Sequence, residues 1–206
     1  YVSDDGLVMT NYHVVSDYAL DPRSYEIEYA AKDGDHGSLS LLAFDVLHDL
    51  ALLRRKGATL HHLRFHTARV FKGELLFSLG NPDDLGLSIV QGVYNGLVEH
   101  SFYDLIHFTG PINSGMSGGP VVDRTGEVVG INDATMGEER GFLIPAQAAR
   151  ELLSRWAAHP VAQEEFQSEI VRQLKLHSAA ITEALVAEPV PVQPFEHFSV
   201  PGAAAP

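Results

Sequence analysis

The sequence predicts a mainly β protein with helices only in its C-terminal part, and three observations predict it. From Tyr25 to Leu53 apolar and polar residues alternate in short runs broken by Asp33-Gly34-Asp35, the period of strands and a hairpin rather than of helices. From about Phe71 to Pro145, Val-Val and Ile pairs recur between the turn sequences Asn81-Pro82-Asp83-Asp84 and Asp123-Arg124-Thr125-Gly126. After Pro145 the pattern changes. Ala146 to Ala158 is alanine-rich around Leu152, Leu153 and Trp156, which reads as a helix ended by Pro160. From Val161 to Ala187, Phe166, Ile170, Leu174, Ile181 and Leu185 share one stripe, flanked by Glu164, Glu165, Glu169 and Lys175, as in an amphipathic helix. Residues 188–206 hold 5 of the 11 prolines and read as an extended or disordered tail.

Composition narrows the function classes. The 206 residues divide into one domain of about 150 residues and an appendage, enough to fold without covalent staples. The sequence has no apolar run of about 18 residues, so none of it reads as a membrane span. A formal net charge of −13 repels a phosphate backbone and argues against nucleic acid as the main partner. The absence of cysteine removes disulfides, thiolate metal sites and a cysteine nucleophile together.

The densest local signal runs from Asn113 to Asn132. Ser117 has Gly115 two residues before it, Gly118 and Gly119 directly after it, and Pro120 to stop any helix before the run that starts at Val121. Glycines so crowded let backbone N–H groups turn towards one point. If those of Gly115 and Ser117 converge, they form an oxyanion hole with Ser117 Oγ beside it as a nucleophile. The pattern Gly-x-Ser-Gly-Gly-Pro is more specific than a lone Gly-x-Ser-x-Gly, and the competing reading is a glycine-rich hairpin with an ordinary serine. A serine hydroxyl is a weak nucleophile near neutral pH, so a histidine must take its proton and a carboxylate must orient that histidine. His13 follows the apolar strand Gly6 to Thr10, and Asp49 opens the strand Leu50-Ala-Leu-Leu53. Asp45 is the rival carboxylate, read otherwise as a turn residue capping its own backbone. The order His, Asp, Ser separates chymotrypsin-like arrangements from subtilisin-like and α/β-hydrolase ones.

On these three segments, on Glu74 to Gly80 with Asn81-Pro82, Gly86 and Val90-Gln-Gly-Val93, and on Gly141 to Pro145, the chain resembles HtrA-like (DegP-like) members of the trypsin superfamily over about residues 1–156. The resemblance implies a serine endopeptidase with two antiparallel six-stranded β-barrels and C-terminal helices. Residues 1–157 would form the protease domain, with one barrel over 1–68, a second over 71–145 and a terminal helix over 146–158 packed on the second barrel. An extra helix over 161–187 and a proline-rich tail over 188–206 would follow. His13 becomes the general base, Asp49 its orienting partner, Ser117 the nucleophile and Gly115 N–H the second oxyanion donor. In such proteins the floor of the pocket for the residue before the scissile bond lies about six positions before the nucleophile, here Pro111 followed by Ile112. Neither carries charge, and a buried cation would lose its hydration without return. With Ala134, Thr135 and Gly141 as walls, the expectation is cleavage after small or medium apolar residues, unless the Asp133 carboxylate points inward.

Met116 departs from the family, which more often has a small polar residue there, and is expected to pack or to cover the pocket mouth. His61, His62 and His66 lack a nearby cysteine and read as a solvated connector, so neither a metal nor a cofactor is expected. The opening Tyr1-Val2-Ser3-Asp4 reads as the end of one strand, an expectation that the chain is part of a longer protein. Too few residues follow the protease region for a PDZ domain. The expected partner is a polypeptide substrate, with the 161–187 helix either folded onto the protease or free for a partner or further domain. A bacterial-type periplasmic or extracytoplasmic location follows by resemblance alone. The alternatives left open are a catalytically silent protease-like scaffold or peptide-binding protein, and a hydrolase of small esters.

Overall fold

The Leu50-Ala-Leu-Leu53 run is apolar at every position because both of its faces are covered. In the computed structural model, which describes residues 1–31, 34–57, 61–82, 85–99, 101–133, 141–187, 192–195 and 198–201, it belongs to β4 (Leu50–Arg54). This strand lies between β1 (Leu7–Thr10) and β3 (His36–Asp45), and β2 (Ile27–Ala30) pairs with β3, giving an antiparallel sheet of order β1-β4-β3-β2. Alternate side chains point to opposite faces. Leu7, Met9, Ala43, Leu50 and Leu52 meet Ile131, Ile144, Ala148, Ala149 and Leu152 on one face. Leu41, Phe44, Ala51 and Leu53 meet Val15, Ala19, Phe166 and Ile170 on the other. A register shift between Leu41 and Ala43 is the irregularity that lets Phe44 join Leu41 on this second face.

The second half closes on itself. Strands β5 (Leu75–Gly80), β6 (Ser88–Leu97), β7 (Ile106–Phe108), β8 (Pro120–Val122), β9 (Val128–Asp133) and β10 (Gly141–Pro145) form a barrel of order β10-β7-β6-β5-β8-β9. Leu76, Ile106, Phe108, Ile112, Met116, Val121, Val129 and Leu143 fill it. The expectation of two closed barrels is therefore met by one barrel and one open sheet of four strands. The sheet is open, with β1 and β2 as its edges and the short helix α1 (Ser16–Leu20) between them in the chain. The connector to the barrel is pinned by Phe65 bridging Val128, with Val128 N–H on Arg64 O and His66 N–H on Val128 O at 2.8 Å each.

Pro145 ends β10 and stands directly before α2 (Ala146–Ala158) with an extended backbone, φ −58° and ψ 141°. Sequence reasoning places this helix on the barrel. The structure places it between the two halves, because its apolar stripe of Ala148, Ala149 and Leu152 meets both the sheet and barrel strands β9 and β10. A single 3₁₀ turn (Gln163–Glu165) then opens α3 (Phe166–Ala187), which buries Phe166, Ile170 and Gln173 against the sheet and leaves Leu174 and Leu185 exposed. In the tail, β11 (Val192–Phe195) pairs antiparallel with β12 (Phe198–Pro201). Among the described residues no helix is long and apolar enough to cross a membrane.

Candidate active site

The first part of the site is set by two short segments that grip each other. Where β1 ends, Asn11 is fully buried and its Nδ2 donates to Asp49 O at 3.0 Å, while Tyr12 N–H donates to the same oxygen at 3.1 Å. These bonds carry the next residue, His13, onto the Asp49 carboxylate. His13 N–H donates to Oδ1 at 2.8 Å, and Nδ1 lies 2.6 Å from Oδ2. A carboxylate facing Nδ1 selects the tautomer with its proton there, leaving Nε2 as the free acceptor. The hydrogen bond that His13 donates to the Asp49 carboxylate raises the His13 pKa above the ordinary imidazole value. Partial burial opposes this, and the charges of Asp49 and Asp133 add to it. Asp49 has φ +50°, a left-handed backbone that is uncommon outside glycine and persists only where its surroundings enforce it.

Asp45 is bonded elsewhere. Its Oδ1 accepts Leu47 N–H and His48 N–H at 3.1 Å each, and its Oδ2 receives His48 Nδ1 at 2.9 Å and the Arg155 guanidinium. Asp45 is buried, which alone would raise its pKa, but the hydrogen bond and charge of His48, the backbone N–H and Arg155 hold it far below the carboxylate range. Asp45 thus builds the turn that presents Asp49. His48 is this turn's own partner and also meets the Tyr103 ring at 5.3 Å.

The Ser117 loop is held from beneath by a buried amide that sequence reasoning left without a role. Asn132 Nδ2 donates to Leu79 O and Met116 O at 3.1 Å each, and its Oδ1 accepts Ser78 Oγ at 2.8 Å. A polar residue amid the apolar run of β9 was the signal available. Met116 does not cover a pocket mouth. It is buried in the barrel core, so the residue before Ser117 acts as an apolar peg. Gly115 has φ +83° and Gly118 φ +75°. A Cβ on Gly118 would fall 2.2 Å from Thr10 Oγ1 and 3.1 Å from Asn11 N, so only glycine lets this loop press against the end of β1, three residues before His13. Met116 N–H donates to Asn113 O, Gly118 N–H to Asn132 O and Gly119 N–H to Met116 O. Among the described residues the N–H groups of Gly115 and Ser117 donate to no other group.

The expected pocket residues divide. Pro111 is exposed, whereas Ile112 has its side chain in the barrel core, because it alternates with Pro111 on a segment whose inner face closes the barrel. Gly141 presses on Gly110 O and the Phe108 ring. Ala134 and Thr135 lie outside the described residues. Asp133 is buried at the end of β9, close enough for its charge to act on His13. His66, expected in a solvated connector, is instead partly buried with Nδ1 2.9 Å from Asp123 Oδ2 and 3.5 Å from Glu127 Oε2. The other oxygen of this carboxylate, Asp123 Oδ1, holds the hairpin turn, accepting hydrogen bonds from Thr125 N–H, the Thr125 hydroxyl and Glu127 N–H.

A six-stranded barrel joined to a second sheet, with a His–Asp pair just beyond the end of β1 and a glycine-framed serine loop pressed against that end, fits a trypsin-like peptidase. The trypsin-like peptidase domain family matches residues 1–131, and the chain belongs to that family. Within it the similar proteins are of HtrA type. The serine endoprotease DegS of Haemophilus influenzae is 29% identical over 168 residues, 75% of this chain and 48% of that protein. A probable periplasmic serine endoprotease, DegP-like, of Brucella suis is 31% identical over 168 residues, 75% of this chain and 31% of that protein. Among solved structures, the HtrA-type protease AlgW with decapeptide has 27% identity and a TM-score of 0.66, covering 77% of this chain and 50% of that one. The chain spans half or less of the length of these three proteins.

Proposed function

We propose that this chain is a serine endopeptidase that hydrolyses peptide bonds through an acyl-enzyme, with His13, Asp49 and Ser117 as its triad. The observation that carries the reading is the His13–Asp49 pair, bonded at 2.6 Å, beside a serine loop whose Gly115 and Ser117 N–H groups are uncommitted among the described residues. Asp49 holds Nδ1–H and leaves Nε2 to accept the Ser117 Oγ proton as Oγ attacks the scissile carbonyl. Negative charge developing on the carbonyl oxygen is met by the N–H groups of Gly115 and Ser117, which need no rearrangement of partners to receive it. The imidazolium then protonates the leaving amine, and water, deprotonated by the same nitrogen, releases the acyl group from Ser117.

The four-stranded sheet takes the place of the N-terminal barrel in a double-barrel architecture. Cleavage after small or medium apolar residues is supported by the uncharged Pro111, by Ile112 turning away into the core, and by the absence of a side chain at Gly141. An extracytoplasmic location is supported by relatives named as periplasmic. The test is turnover of an unfolded protein substrate by the chain and by Ser117→Ala. Cleavage that the variant loses supports the proposal. Saturable peptide binding without turnover in the folded wild-type chain would replace it with the scaffold reading.

A further inference from the structure

The turn carrying Asp49 is gripped on its other side by α3, which lies beyond the residues matched by the peptidase family. Gln173 sits in the middle of this contact, almost fully buried. Its Oε1 accepts Val46 N–H at 2.8 Å, and its Nε2 donates to Phe44 O at 3.0 Å and to Glu169 Oε1 at 2.8 Å. The side-chain amide therefore pairs with the backbone on both sides of Asp45 as an added strand would. The Glu169 carboxylate fixes which end of the amide is donor and which is acceptor.

Three features make this contact specific to the turn. A buried amide that pairs with two main-chain groups is costly to remove, because that backbone N–H and C=O are left without water or replacement. Asp49 occupies a left-handed backbone at φ +50°, a conformation that depends on its surroundings being held. Finally, among the described residues the hydrogen bonds that Asn11, Tyr12 and His13 make to the turn fall on Asp49, whereas Gln173 bonds residues 44 and 46 and Arg155 of α2 bonds residue 45.

We propose that α3 is a clamp on the turn that carries Asp49, and that Gln173 is a positioning residue for the His13–Asp49 pair. The proposal rests on the triad reading above. It is tested by Gln173→Met, which keeps the volume and removes the hydrogen bonds, and by Gln173→Asn, which keeps the amide but withdraws it by one methylene. Ile170→Val on the same buried face is the packing control. For each variant, kcat, KM and their pH dependence are measured at a temperature where circular dichroism shows it folded. The His13 ring is titrated by NMR.

Gln173→Met is expected to lower kcat by roughly ten- to hundredfold with little change in KM, the scale of a misplaced catalytic group. Its His13 titration moves down towards the ordinary imidazole range, Gln173→Asn shows the same shifts reduced, and Ile170→Val shows neither. Folded Gln173 variants with unchanged kcat and an unchanged His13 titration, altered only in melting temperature, would overturn the proposal. The two readings fail separately. If turnover survives Ser117→Ala, the triad is wrong, yet the His13 titration still reports whether Gln173 holds its turn.

Discussion

Phe166→Ala measures how firmly α3 belongs to the fold. Phe166 is 2% exposed and packs its ring edge-on to Phe44, with centroids 5.5 Å apart and planes at 81°. It shares its cluster with Val15, Ala19, Leu53 and Ile170. Truncating a phenylalanine in such a site costs about 3–5 kcal/mol in lost burial and residual cavity, of which the edge-on ring pair supplies about 1 kcal/mol. For a chain of this size each kcal/mol moves Tm by about 2–4 °C, so the melting midpoint should fall by roughly 6–20 °C. The assay is thermal unfolding by circular dichroism together with a urea titration, in which the midpoint falls and the slope is unchanged. Leu185→Ala, at a residue 59% exposed on the same helix, should change stability by no more than about 0.5 kcal/mol. A fall below about 2 °C for Phe166→Ala, or equal effects of the two substitutions, would refute the packing of α3 on the sheet.

The other predictions concern the two aspartates of one turn. Asp49→Asn should lower kcat by about ten-thousandfold, because the amide no longer selects the productive His13 tautomer. His13 must be neutral to accept a proton, and its pKa is raised by the Asp49 hydrogen bond. Activity should therefore be lost as pH falls through a value above 6.5, and Asp49→Asn should bring any residual acid limb down towards 6.5. For stability the sign is opposite: the His13–Asp49 bond contributes fully below the unfolded imidazole value and is lost as pH rises through the raised one. Asp45 has a depressed pKa, so its contribution is present above its unfolded value of 3.8 and is lost as pH falls below that. Asp45→Asn should cost about 2 kcal/mol near neutral pH, on the low side for a buried pair because Arg155 is half exposed, and should flatten the acid side of the stability profile.

What could be read from the sequence was local. The glycine frame of Ser117 is legible because the backbone conformation it demands excludes other residues over a few positions, as the Thr10 contact of Gly118 illustrates. Pro145 marks the change from strand to helix by its missing N–H. The Asp49 carboxylate meets His13 and that of Asp45 meets His48, a distinction that neighbouring residues foreshadowed. What could not be read depends on partners far along the chain. Gln173 looks like any polar residue on a helix until Phe44 and Val46 are placed beside it, 129 and 127 positions away. Ile112 reads as pocket lining in the sequence, and its place in the core shows only once the barrel is closed around it. The open form of the first sheet was hidden for the same reason, because alternation predicts strands and says nothing of whether their edges meet. Asn132 stood in plain view as a polar residue within an apolar strand, a sign of a buried network.

The most direct test of the central claim is covalent labelling by a fluorophosphonate, read by intact mass, on the folded chain and on Ser117→Ala. A serine activated by His13 should take one adduct that the variant does not, with peptide turnover falling by about a millionfold in parallel. A folded wild-type chain that stays unlabelled, or an adduct that persists in Ser117→Ala, would contradict the assignment of Ser117 as the nucleophile.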